Sequence, residues 1–107
     1  MMGVVETDRS GDEGPLSESQ QMYLKATYLI QQEKGAARVT DIARYLGVIK
    51  ASVTAALRTL ARRGLVNHAR YDLISLTDMG KQEAAAILDR YEALRSFLVT
   101  VLGVDEE

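Results

Sequence analysis

The 107-residue chain contains no cysteine and no tryptophan, and only one proline, one phenylalanine and one histidine. Without cysteine there can be no disulfide, no thiolate zinc site and no cysteine nucleophile, so stability must come from packing. Nucleophile, base and orienting residue form no recognisable set around the single histidine, His68, and no glycine-rich phosphate loop is present. An enzyme, a small-molecule substrate and a bound cofactor are therefore not expected. No apolar run approaches the ~20 residues of a membrane helix, and no basic segment followed by an apolar stretch opens the chain. These absences predict a cytoplasmic protein with no membrane association. The 47% hydrophobic and 26% charged residues are ordinary for a globular fold, and the length is that of one small domain.

The net charge of -2 conceals a segregation. Residues 1–20 set five acids against Arg9, for -4. Residues 34–70 set Lys34, Arg38, Arg44, Lys50, Arg58, Arg62, Arg63 and Arg70 against Asp41 alone, for +7, and residues 71–107 return to -5. A basic middle between acidic ends is the footprint of a module that meets a polyanion, or else a solvated basic face.

Residues 1–15 are rich in Gly, Asp, Glu and Ser and are expected to form a mobile tail. Ser17 and Gln20 offer a capping box, followed by Met22, Ala26, Leu29 and Ile30 at helical spacing and by Gly35 as a stop. Thr40 is the expected N-cap of a second, short helix with Ile42, Ala43 and Leu46 on one face, ended by Gly47. From Lys50 to about Arg63, the residues Val53, Ala56, Leu57 and Leu60 mark the buried face of a third helix, stopped by Gly64. Two helices joined around a glycine suggest a helix-turn-helix. Leu65-Val66 and Leu73-Ile74-Ser75-Leu76 read as a hairpin. Thr77 then caps a helix of roughly seven turns. The order predicts a mainly α, winged helix-turn-helix fold: three helices plus a two-stranded wing over residues 16–77, then a long helix over 78–107. Leu94, Phe97, Leu98, Val101 and Leu102 extend past any small core, and a second copy of the chain is their natural cover.

Met22-Tyr23-Leu24-Lys25, Arg38-Val39-Thr40-Asp41-Ile42-Ala43, Ser52-Val53-Thr54, Gly64-Leu65-Val66, Leu76-Thr77 through Gly80, and Phe97-Leu98 to Leu102-Gly103-Val104-Asp105 together resemble the diphtheria toxin repressor family. The resemblance implies a homodimeric, DNA-binding transcriptional regulator in which a divalent metal tightens the dimer and promotes operator binding. It places the family's first-helix ligand at Met22, a histidine ligand at Tyr91 and a glutamate ligand at Arg95. A phenol is a poor ligand at neutral pH and a guanidinium is a fixed positive charge, so no metal site is expected. Family members continue past the matched stretch into a helical region that carries further ligands.

Double-stranded DNA is the expected partner. On the third helix, Ala51, Thr54, Ala55, Arg58 and Arg62 oppose the buried face and are candidates for the groove. Lys50 and Ser52 lie in the first turn, where free amides favour phosphate. Arg38 and Thr40, Arg44, and Arg70 near the wing surround the same helix and should hold the backbone. The resemblance places a capping residue at Ile49, a proline at Ala51 and a long polar base-reader at Ala55. Alanine offers a base only a methyl contact, so shape and backbone contact should carry more of the binding. Asp72 and Leu73 stand where the family has a basic residue and a glycine. His68, in the first wing strand, shows no acidic partner at ligand spacing and is read as a phosphate contact or an exposed strand residue. A protein-binding winged helix and a truncated metal-dependent repressor are the alternatives.

Overall fold

The computed structural model describes residues 14–68 and 72–102, with side chains as far as Phe97. The first helix, α1 (Glu18–Lys34), starts where the capping box predicts. The Ser17 hydroxyl accepts from the Gln20 amide at 3.1 Å, and the Gln20 side-chain oxygen accepts from the Ser17 amide at 2.9 Å. Two donors that a helix leaves unpaired are thereby satisfied. Gly35 ends α1 in the left-handed conformation, at φ 84°, and its amide donates to Gln31. The inner face is wide, comprising Tyr23, Leu24, Ala26, Thr27 and Ile30. The buried Thr27 hydroxyl donates to the Tyr23 carbonyl at 2.8 Å, which removes the cost of burying it. Met22 is not part of that face: it is 46% exposed, because the face that packs inward is centred one residue on.

Strand β1 (Ala37–Arg38) leads directly into α2 (Val39–Leu46). Here the structure corrects the expected cap. Arg38, held extended by its strand at φ -118° and ψ 158°, is the N-cap, and its amide donates to the Asp41 carboxylate at 3.3 Å. Thr40 is already inside the helix. The strand starts the helix two residues too early for Thr40 to serve. Gly47 turns the chain at φ 71° into α3 (Lys50–Arg62), whose N-cap Ile49 makes no side-chain capping bond, as its residue type predicts.

Beyond α3, strands β2 (Val66–His68) and β3 (Leu73–Leu76) pair antiparallel, Val66 opposite Leu76 and His68 opposite Ile74. The two-stranded wing is joined by a third strand, because β1 adds to the other edge of β3, Ala37 opposite Ile74, to give the order β1-β3-β2. The pairing buries Ala37 and continues the small sheet under α1. Helix α4 (Asp78–Leu102) begins at Thr77, whose hydroxyl accepts from the Gly80 amide at 3.0 Å and donates to the Gly64 carbonyl at 2.7 Å. Its first turns lie against the core through Gly80, Ala84 and Ile87. From Asp89 to Phe97 every residue is exposed.

The core gathers Leu24, Ile42, Val53, Leu57, Leu60 and Ile74 from three helices and the sheet, each essentially inaccessible. Burying such a side chain is worth roughly 1.5 to 3 kcal/mol. Because Val53, Leu57 and Leu60 of α3 are locked into it, the opposite face of α3 is held rigidly outward.

Candidate nucleic-acid interface

Ala51, Ala55, Arg58 and Arg62 follow one another at i, i+4, i+7 and i+11, and so form one stripe along α3 opposite Val53, Leu57 and Leu60. All four are exposed; Thr54, at the edge of the stripe, is half-buried. The first two positions contribute only methyl groups, and the last two contribute guanidinium groups a turn apart. The Arg62 guanidinium donates to the Thr59 hydroxyl at 3.2 Å, which lays it along the helix. Lys50 and Ser52, both exposed, occupy the first turn of α3, at the positive end of its dipole.

Arg38 and Arg44 are exposed at the two ends of α2. Asp41, the one acid of the basic block, stands among them with only 18% of its side chain accessible. It lies 3.5 Å from Lys34 and 3.8 Å from Arg44, in addition to accepting from the Arg38 amide. Asp41 therefore caps α2 and orders two cations at once. Arg63 leaves the group: it follows the last residue of α3 and its guanidinium donates to the Gly14 carbonyl, so it anchors the segment before α1. Arg70 lies outside the described residues, as do the side chains of Leu98, Val101 and Leu102. His68, read as showing no acidic partner at ligand spacing, has the Asp72 carboxylate at 3.6 Å, with Asp72 at φ 60°.

On the opposite side, α1 and α4 enclose an open cleft of about 530 Å³ lined by Glu18, Gln21, Met22, Lys25, Ile87, Arg90, Tyr91 and Leu94. The Lys25 ammonium stands 4.8 Å from the centre of the Tyr91 ring, and Arg95 donates to Glu92 at 2.8 Å. Among the described residues no three His, Cys, Asp or Glu side chains converge as metal ligands would. The Met22 thioether, a Tyr91 ring covered by an ammonium and the single Glu18 carboxylate, set beside the Lys25 and Arg90 cations, are a donor set that does not fit a divalent iron or manganese ion. Lys25 escaped the sequence reading because a lysine one turn beyond Met22 looks like an ordinary solvated residue until α4 is in place. Tyr91, Leu94 and Phe97, each more than half exposed, continue from the cleft along α4.

The iron-dependent repressor N-terminal DNA-binding domain matches residues 15–73, from the segment before α1 to the start of β3. An uncharacterized HTH-type transcriptional regulator of Methanocaldococcus jannaschii is 37% identical over 93 residues, covering 86% of this chain and 74% of the relative. The HTH-type transcriptional regulator MntR of Bacillus subtilis is 37% identical over 89 residues, covering 83% of this chain; the chain spans 62% of that relative's length. Among solved structures, the MepR–DNA complex of Staphylococcus aureus superposes with a TM-score of 0.67 over 98% of this chain and 80% of that one. At 23% identity this likeness establishes the winged-helix fold. The match across α1, α2, α3 and β2, together with these relatives, settles the family: the chain belongs to the family of the iron-dependent repressor DNA-binding domain, that of the diphtheria toxin repressor, as an HTH-type transcriptional regulator related to metal-dependent repressors.

Proposed function

We propose that the chain is a repressor that binds duplex DNA as a homodimer in the cytoplasm and does so without metal control. The observation that carries the reading is the two-faced α3. Its inner residues Val53, Leu57 and Leu60 are wholly buried, and its outer stripe is exposed and ends in Arg58 and Arg62. A helix fixed in this way can enter a major groove with little to reorganise. Arg58 would reach base edges or the flanking phosphates from the groove, with Ala51, Thr54 and Ala55 against thymine methyls. Lys50, Ser52, Arg38, Thr40, Arg44, Arg62 and Arg70 would grip the backbone and fix register.

Residues 16–77 act as the reading unit, and 78–107 carry the dimer. The exposed Tyr91, Leu94 and Phe97 support a two-fold contact along α4, continued by Leu98, Val101 and Leu102. The donor set of the α1–α4 cleft supports independence from metal. A gel shift tests the central claim. Arg58→Glu reverses a charge in the groove and abolishes retention of duplex DNA at moderate salt. Equal binding by mutant and parent, or no binding of any duplex by the parent at low salt, refutes it.

A further inference from the structure

The contact between Lys25 and Tyr91 joins two parts of the molecule with different tasks. Lys25 belongs to α1, inside the reading unit, and Tyr91 lies on α4 beyond its last core residue, Ile87. At 4.8 Å from the ring centre the ammonium is well inside the ~6 Å over which a cation is drawn to an aromatic face. Both residues line the same cleft as Met22, and Met22 and Tyr91 are the positions where the family resemblance places metal ligands. Arg90 is a second cation on the cleft wall and Glu18 its single acid, so the cleft already carries more positive than negative charge. Helix α4 runs about 17 Å past Tyr91, and a swing of about 10° there would move its far end by about 3 Å. A change of angle between α1 and α4 near Tyr91 would thus be amplified at the far end of α4.

We infer that Lys25 is a built-in cation at this joint: its ammonium, seated on Tyr91, holds α4 against α1 in the arrangement that binds DNA and takes the position a dissociable ion would need. Lys25 is a positioning residue, acting on DNA only through α4. The inference rests on the metal-independent, dimeric reading above, and goes beyond it by naming the group that makes the ion unnecessary.

The test combines a local and a global readout on the full chain. In proton–carbon NMR, the Lys25 ε-methylene resonances should lie upfield of their ordinary position through the ring current of Tyr91, and Tyr91→Leu should return them. DNA affinity is measured by fluorescence anisotropy on a duplex selected by the parent protein from a random-sequence pool. Lys25→Met and Tyr91→Leu should each weaken binding roughly three-fold per protomer, about ten-fold for a dimer, the scale of a partly exposed cation–aromatic contact. The double variant should be no weaker than either single one, and Lys25→Arg should retain parent affinity. Both side chains have solvent access, so folding is not at stake, and circular dichroism melting checks this. Unshifted Lys25 resonances, or effects that multiply in the double variant, overturn the inference. Binding by the parent that strengthens with manganese and weakens with chelator overturns the metal-independent reading instead, and the NMR result separates the two failures.

Discussion

Gly80 and Leu65 meet backbone to backbone. A Cβ added at Gly80 would lie 2.9 Å from the carbonyl carbon of Leu65 and closer still to its oxygen, which already accepts from the Thr77 amide at 3.1 Å. The absent side chain is what lets α4 dock on the end of the wing. Gly80→Ala should therefore lower stability by about 1 to 3 kcal/mol in urea denaturation. Helix propensity pulls the other way by about 1 kcal/mol. The clash prevails because the obstacle is backbone, which cannot rotate aside as a side chain can. A variant more stable than the parent would mean that α4 shifts at no cost.

Thr77 works on the same junction from two sides, accepting from Gly80 and donating to Gly64. Thr77→Val keeps the shape and removes both hydrogen bonds, and about 1 to 2 kcal/mol should be lost. Unchanged stability would show that water replaces the hydroxyl fully.

What could be read from the sequence and what could not divide along physical lines. The capping box at Ser17 and Gln20, the stops at Gly35 and Gly47, and the capping of Gly80 by Thr77 are local. Their hydrogen bonds join residues within a few positions of each other, so spacing reveals them. Strand β1 was hidden because two residues make no pattern, and Ala37 and Arg38 become a strand only when Ile74 and Leu73, more than thirty positions on, come alongside. The misplaced cap at Thr40 follows from the same omission. Within the interface, the outer stripe of α3 was legible from helical periodicity. The departure of Arg63 to Gly14 and the Lys25–Tyr91 contact require tertiary neighbours, and the Asp41 cluster needs the turn between α1 and α2 to bring Lys34 alongside.

The phosphate grip should be measurable as a salt dependence. Each cation that neutralises a phosphate releases a counterion, so Lys50→Ala should reduce the slope of log affinity against log salt by about 1 and weaken all duplex sequences alike. A change in sequence preference with an unchanged slope would place Lys50 on base edges instead.

For the dimer, Leu94 is the large apolar residue nearest the middle of the described exposed part of α4, and 58% of it is accessible in the single chain. Leu94→Lys should shift light scattering toward monomer, since placing a charge in an apolar contact forfeits the roughly 1.5 to 3 kcal/mol of the leucine and adds desolvation. A parent that is already monomeric at ~100 μM would remove the dimer from the proposal and, with it, the two-fold reading of a palindrome.

Asp41 presents two tasks that a pair of variants can separate. As the N-cap partner of Arg38 it stabilises α2, and as the sole acid among Lys34, Arg38 and Arg44 it subtracts from the potential that DNA meets. Asp41→Asn keeps an oxygen that can accept from the Arg38 amide and removes the charge. A unit charge about 10 Å from a phosphate in water costs roughly 0.4 kcal/mol, so affinity should rise about two-fold at low salt, with the gain vanishing as screening shortens the reach of the charge. Asp41→Ala also frees the cations but leaves the amide unpaired, and should lose about 1 kcal/mol of stability. Anisotropy titrations across a salt series, with urea denaturation of both variants, check these expectations. Weaker DNA binding by Asp41→Asn would give the opposite answer: the carboxylate then serves chiefly to aim Lys34 and Arg44, and their orientation outweighs the repulsion it brings.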